Sequence, residues 1–185
     1  MKADYIRTAL NKDGTYRDNV FLRVIGEAYI PIAFRIAATA DPTAKLFYND
    51  YNLEYGLDKA KGAQRIVKLV QSYGVKIDGV GLQGHLVTEK TPTQDVVRPS
   101  TKVLTDTLRM YTDLGVDVAY TGLDIRINTP VTAAKLQAHA DAYAGVTASC
   151  MNVPRCIGIT LWVCDFDSVS LLIAPLLTCS RIGRP

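Results

Sequence analysis

Asp117-Val118-Ala119-Tyr120-Thr121-Gly122-Leu123-Asp124-Ile125-Arg126 is a run of β-branched and aromatic residues that leads into a glycine and a carboxylate. Such a composition predicts a buried strand that delivers side chains to a site. Because side chains alternate along a strand, Gly122 and Asp124 are expected on one face and Thr121, Leu123 and Ile125 on the other. One face then offers a single carboxylate beside a position that has no side chain.

Outward from this run, strands alternate with helices. Pro99 or Ser100 opens a helix through Leu114, and Gly115 ends it. Before it, Ile77 to His85 reads as a strand. Lys59 to Tyr73 reads as an amphipathic helix with Ala63, Ile66, Val67, Leu69 and Val70 on its apolar side, closed by Gly74. Lys45 to Asn52 is a strand running into a polar mouth. Arg17 to Ala40 carries apolar residues at helical spacing but contains Pro31, which predicts two segments meeting near Tyr29 to Pro31, or one kinked helix. On the other side, Pro130 starts a helix through about Gly145, and Cys156 to Trp162 is a last buried strand. Repeated units of this kind indicate βαβ connections and a parallel sheet. From Val163 onward the pattern dissolves: Ser168 to Cys179 is apolar but short, and residues 180–185 read as an unstructured end.

Composition narrows the function classes. With 185 residues, 48% of them hydrophobic and 21% charged, the chain can bury one well-packed domain. A net charge of +3 without interleaved Lys/Arg and aromatic clusters gives no support to nucleic-acid binding. The basic residues read as a solvated surface. Met1 to Tyr5 does not read as a signal peptide, and no apolar run reaches membrane-spanning length. Cys150 and Cys156 flank a five-residue segment containing Pro154, which fits either a local disulfide or two buried thiols. Clustered His and Cys for a metal are missing. Gly79-x-Gly81-x-x-Gly84 lies within a strand rather than between strand and helix, which defeats a dinucleotide reading.

Four motifs follow one another in a recognisable order: Asn49-Asp50-Tyr51-Asn52, Gly81-x-Gln83-x-His85-Leu86, Thr121-Gly122-Leu123-Asp124-Ile125 and Gly158-Ile159-Thr160-x-Trp162. From about Asp4 through Trp162 the chain resembles glycoside hydrolase family 10, the retaining endo-1,4-β-xylanases. The resemblance implies a partial (β/α)8 TIM barrel: strands five to eight with their helices, preceded by the helix that follows strand four, with the first four strands essentially absent. Residues 1–162 then form an incomplete barrel domain and residues 163–185 a divergent, irregular tail. Fungal members commonly bridge the Cys150–Cys156 spacing, which favours the disulfide. Family chemistry needs no cofactor, its substrate is xylan or xylo-oligosaccharide, and its members are secreted. Open barrel edges imply self-association.

In the family the Thr-Glu-Leu-Asp-Ile motif supplies the nucleophile, and Gly122 stands in the place of that glutamate. Strand four ends in Trp-Asp-Val-Val-Asn-Glu-Ala-Leu, whose glutamate is the acid/base; the matching stretch, Ala3 to Leu10, has Thr8 there and Arg7 in place of the asparagine. A retaining mechanism needs two carboxyl groups about 5 to 5.5 Å apart. Gly122 and Thr8 supply neither. Asp124 lies two residues along the strand, roughly 6.5 Å away, and in the family orients the histidine found here as His85. Gln83 and His85, expected on one strand face, match positions that approach the nucleophile and the sugar; a satisfied structural histidine is the plainer alternative. Asn49, Tyr51 and Asn52 match cleft contacts, against ordinary loop polarity. Trp162 matches a tryptophan that packs on the sugar, against core packing. The family's second tryptophan has no counterpart after Asp165 to Ser168. His139, in a helix among polar neighbours, reads as surface. These residues together imply an inactive xylanase-like chain, a non-catalytic binder of xylo-oligosaccharide, or a degenerate copy without selected function.

Overall fold

A computed structural model describes residues 3–162 and 177–179, with side chains from residue 8 to residue 162. The β-branched and aromatic runs pair as parallel strands: β1 (Ala3–Arg7), β2 (Lys45–Asp50), β3 (Gly79–Leu82), β4 (His85–Val87), β5 (Asp117–Arg126), β6 (Cys156–Leu161) and β7 (Leu177–Cys179). The sheet order is β1-β2-β3-β5-β6-β7, with β4 pairing β5 beyond the end of β3. Every described strand pairing is parallel, so consecutive neighbouring strands from β1 to β6 need connections that cross back over the sheet, and helices make them, β3 and β4 excepted, which follow each other along one side of β5. They are α1 (Val20–Ile25), α2 (Tyr29–Ala40), α3 (Asp58–Ser72), α4 (Thr101–Thr112) and α5 (Ala133–Met151).

Local chemistry sets the helix ends. The side chains of Asn19, Ser100 and Thr132 accept from the backbone N–H of Leu22, Val103 and Lys135, capping α1, α4 and α5. The break between α1 and α2 falls at Gly26, and Pro31 sits in the first turn of α2, where its missing N–H costs no helical bond. The core lies between sheet and helices: Ile66, Val67 and Val70 of α3, Leu104, Leu108 and Tyr111 of α4, and Val118, Tyr120 and Leu123 of β5 have no more than 1% exposure. Each such aliphatic side chain contributes about 1.5–3 kcal/mol on burial, which outweighs the few tenths separating helix propensities. Two hydroxyls tie the layers together: Tyr111 donates to the Ala60 carbonyl at 3.2 Å, and Tyr120 meets Ser149 of α5 at 2.9 Å.

The structure departs from the sequence reading at several points. Ile77 to His85 is not one strand: β3 ends at Leu82 and β4 begins at His85, because Gly84 takes φ +74° between them. Alternation therefore does not run from Gln83 to His85. Along β5, the register against β6 shifts on both sides of Tyr120. As a result Tyr120 and Leu123, three residues apart, both enter the core, and Thr121 parts from Leu123 and Ile125 to meet Asn49. The last helix begins at Ala133 and runs six residues past Gly145, because the Thr132 cap, not Pro130, sets its start. Residues 3–7, within the stretch matched to the end of the family's strand four, form β1 beside β2. In the tail, Leu177–Cys179 adds parallel to β6 where an irregular segment was expected; the other readings made for residues 163–176 and 180–185 lie outside the described residues. His139 is not a free surface residue either: its Nε2 lies 2.6 Å from the Ile125 carbonyl and its ring meets Tyr143 edge-on.

Cys150, near the end of α5, is disulfide-bonded to Cys156, the first residue of β6. The bridge closes the α5–β6 turn and ties the start of β6 to the end of α5. Replacing both cysteines by serine is expected to lower unfolding free energy by roughly 2 kcal/mol, the chain-entropy value for so short a loop. Urea denaturation with an unchanged slope checks this; an unchanged midpoint contradicts it.

Candidate functional site

The residues singled out by the motifs gather at the carboxyl ends of β2, β4, β5 and β6, the end at which parallel α/β sheets and barrels carry their sites. On β2, Asn49 is 4% exposed and its Oδ1 accepts from Thr121 Oγ1 at 2.8 Å, across the intervening β3. Gly81 makes that approach possible, since a Cβ there would stand 2.8 Å from both side chains. Asn52, with φ 59°, turns the chain out of the strand and is half-buried. Gln83, half-buried, sits in the link between β3 and β4 and donates its backbone N–H to the Asp50 carbonyl.

Tyr51 is held between two cations. Arg17 Nη2 donates to its hydroxyl at 2.6 Å, and Lys59 Nζ lies 3.2 Å from its ring centroid. Lys59 is 2% exposed and forms an ion pair at 2.9 Å with Asp50, which is fully buried. Tyr48 and the Tyr51 N–H complete the coordination of that carboxylate, at 2.6 and 2.8 Å. Burial of two charges is tolerated because they meet each other and further donors; removing one partner of such a pair costs about 3–5 kcal/mol. Lys59, read from sequence with the solvated basic residues, is thus interior. Its lysine chemistry had no local signal, because only the fold brings it back over β2.

On β4 and β5, the His85 Nδ1–H donates to Asp124 Oδ1. The carboxylate is an acceptor only, so the proton belongs on Nδ1 and Nε2 faces away from Asp124. This bond raises the pKa of His85 above its ordinary value; burial opposes the shift, the Asp124 and Glu54 charges add to it, and Arg126 subtracts. The His85 ring meets Trp162 edge-on with centroids 5.9 Å apart. Trp162 is 39% exposed, so it is wall and not core. Gly122 lies under the indole: a Cβ at 122 would stand 2.9 Å from Trp162 Nε1 and 3.1 Å from Cε2, closer than a side chain tolerates. Gly122 and Asp124 do share a side, as alternation indicates, because both meet the His85–Trp162 wall. Thr8 sits at φ 50°, unusual for a β-branched residue, and its N–H donates to the Asn49 carbonyl at 3.1 Å. Among the described residues no cluster of His, Cys, Asp and Glu could hold a metal ion.

One residue absent from the motif reading belongs beside this set. Glu54, in the turn after β2, is fully buried, and its Oε1 accepts from the Gly84 N–H at 2.5 Å. Burial raises its pKa, against the bonds from its own backbone N–H and from Gly84 and the charges of His85 and Lys59. No pattern in the sequence separates it from a solvated loop carboxylate.

The parallel α/β sheet of barrel type thus carries an amide, an imidazole–carboxylate pair and an exposed indole at its carboxyl end. The sequence matches the profile of Glycosyl hydrolase family 10 over residues 1–170, and the chain belongs to that family. It is 65% identical over 159 residues to endo-1,4-beta-xylanase A of Fusarium oxysporum f. sp. lycopersici, covering 86% of this chain and 49% of that protein. To endo-1,4-beta-xylanase 1 of Gibberella zeae it is 63% identical, covering 86% and 45%. Among solved structures, a family 10 xylanase from Bispora sp. MEY-1 with xylobiose superposes with a TM-score of 0.77 at 36% identity, over 85% of this chain and 47% of that one. The chain thus spans about half the length of the curated relatives it matches. The fold expected from the motifs, a partial barrel, is the one found.

The His85–Asp124 bond carries a pH signature. A histidine whose pKa is raised on folding contributes stability that is fully present below its unfolded value, near 6.5, and is lost as pH rises through the folded value. The melting-temperature gap between wild type and Asp124→Asn is therefore expected to be widest at about pH 6 and to shrink toward about pH 9. A gap independent of pH in thermal melts followed by circular dichroism contradicts this assignment.

Proposed function

We propose that this chain is a xylanase-like barrel half that does not cleave xylan. The observation that carries the reading is Gly122: where relatives hold the attacking glutamate, the backbone has no side chain and an indole nitrogen occupies the space 2.9 Å from the would-be Cβ. Thr8, in the place of the acid/base, has a hydroxyl that cannot protonate a leaving oxygen near neutrality. Asp124 is no substitute, since its carboxylate is bound to His85.

A second reading keeps xylo-oligosaccharide as a ligand without hydrolysis. The exposed face of Trp162 favours it, because a flat aromatic surface suits the apolar face of a pyranose. Asn49, Tyr51, Asn52, Gln83, His85 and Asp124 supply the polar edge in this reading. No cofactor is invoked. Secretion follows from the family resemblance, and composition gives no support to nucleic-acid or membrane partners. Self-association is part of the same proposal: β1 has one described neighbour, β2, and α1 leaves Val20, Phe21 and Val24 more than half exposed.

The decisive assay compares wild type, Gly122→Glu, and Gly122→Glu with Thr8→Glu on xylan and on an aryl xylobioside. No turnover of xylan is expected from the first two, because a regained nucleophile still lacks an acid and must displace Trp162. Turnover by either, above a mock purification, overturns the reading. Saturable xylo-oligosaccharide binding, weakened about three- to tenfold by Trp162→Ala, is expected if the wall still binds sugar; no saturation in calorimetry removes the second reading. Light scattering coupled to size exclusion is expected to show oligomers, and a monodisperse monomer that does not bind ANS contradicts the assembly claim.

A further inference from the structure

Glu54 is a fully buried carboxyl whose Oε1 accepts from the Gly84 N–H; its own backbone N–H also acts on the carboxyl, and among the described residues its Oε2 has no hydrogen-bond partner. A buried polar atom left unpaired is costly, so its presence calls for a compensating task. Of the two cations acting on it, His85 comes first and is bonded to Asp124, and Lys59 is ion-paired with Asp50 at 2.9 Å and lies on the Tyr51 ring, so neither hydrogen-bonds Oε2. The bond that Glu54 makes to another residue is placed at the most constrained point of the site. Gly84, at φ +74°, is the kink between β3 and β4, and a Cβ there would stand 3.2 Å from the Leu123 Cα, so this peptide is pressed against β5.

The two polar groups of Gly84 are both fixed. Its N–H donates to Glu54 Oε1, and its carbonyl accepts from the Asp124 N–H at 3.2 Å. The next residue is His85, whose imidazole returns to the carboxylate of the same Asp124. Shifting the Gly84 peptide therefore moves both ends of the His85–Asp124 pair relative to each other, and with them the edge that meets Trp162.

We propose that Glu54 is a positioning residue: through its bond to the Gly84 N–H it clamps the β3–β4 kink and so holds the His85 imidazole on Asp124 beside Gly122 and Trp162. The inference deepens the reading of that wall as a sugar surface and rests on it for its functional meaning. Burial favours the neutral carboxyl, which still accepts through Oε1 and so can serve as a clamp without its charge.

Geometry and charge make opposite forecasts for two conservative variants. Glu54→Gln removes the charge and keeps a carbonyl acceptor at full reach; Glu54→Asp keeps the carboxyl and is one methylene too short. The charged groups acting on His85 are Asp124, Glu54 and Arg126, of which only Glu54 is altered. Titrating protein labelled with 13C,15N-histidine by NMR, by magic-angle spinning if the sample is oligomeric, follows His85, with His139 as the internal control. Clamping predicts that Glu54→Asp, which keeps the charge, lowers the His85 midpoint by about 0.5 units or more toward the ordinary value near 6.5, whereas Glu54→Gln, which loses only the charge, lowers it by less. An unchanged midpoint in Glu54→Asp, or a drop in Glu54→Gln at least as large as in Glu54→Asp, overturns the proposal. Glu54→Asp decides alone if Glu54→Gln does not fold, and if Glu54→Asp does not fold, Glu54→Ala, which removes charge and clamp together, is expected to drop further than Glu54→Gln, an equal drop overturning the proposal. A parallel xylo-oligosaccharide titration is expected to weaken in Glu54→Asp only. Failure of every form to bind sugar overturns the sugar reading, while the His85 midpoints still decide the clamp.

Discussion

Everything at the carboxyl end of the sheet depends on how one ten-residue strand, β5, is paired on one side by two short strands in succession. β3 holds its first half and β4 its second, and both are parallel to it. Parallel strands with a continuous backbone between them cannot simply run on; the join must leave the ladder and re-enter it in register. Gly84 makes the join by taking a conformation that other residues adopt at a cost. The consequence is that His85 re-enters opposite Asp124, the residue it bonds, rather than wherever alternation from β3 would have put it.

The opposite side of β5 solves a different problem. Its register against β6 shifts on both sides of Tyr120, which brings Tyr120 and Leu123 into the core and leaves Thr121 facing Asn49. Register shifts of this kind re-aim side chains beside functional sites, and here they leave the Gly122 backbone facing Trp162. Glycine at 122 leaves space on the strand that is not open, for the Trp162 indole lies over it.

Beneath this surface lies a buried set of charges that does no chemistry of its own: Lys59 and Asp50 paired, Tyr48 on the carboxylate, Tyr51 between Lys59 and Arg17. Ion pairs of this sort add little net stability over an apolar replacement, and their usual merit is specificity of arrangement. Here the pair ties the first turn of α3 to the end of β2, the strand whose Asn49 meets Thr121. The packing layer and the polar wall are thereby joined through the same strand, one face each.

Taken alone, the sequence determined the class of fold, the order of most elements and the lack of a carboxyl at Thr8 and Gly122, because each is a local property. Strands and helices show in their periods, and a residue without a carboxyl lacks it in any conformation. The spacing left Cys150–Cys156 open between bridge and free thiols, and family resemblance tipped it. What the tertiary structure alone decided was everything that depends on contact across long separations: Lys59 buried on Asp50, Glu54 on the Gly84 peptide, His139 on the Ile125 carbonyl, and Trp162 over Gly122. It also decided the two breaks in alternation, at Gly84 and around Tyr120, and the joining of Leu177–Cys179 to β6. The physical reason is that a residue's own chemistry sets its period and its charge, whereas its burial and its partner are set by whichever distant segment packs against it.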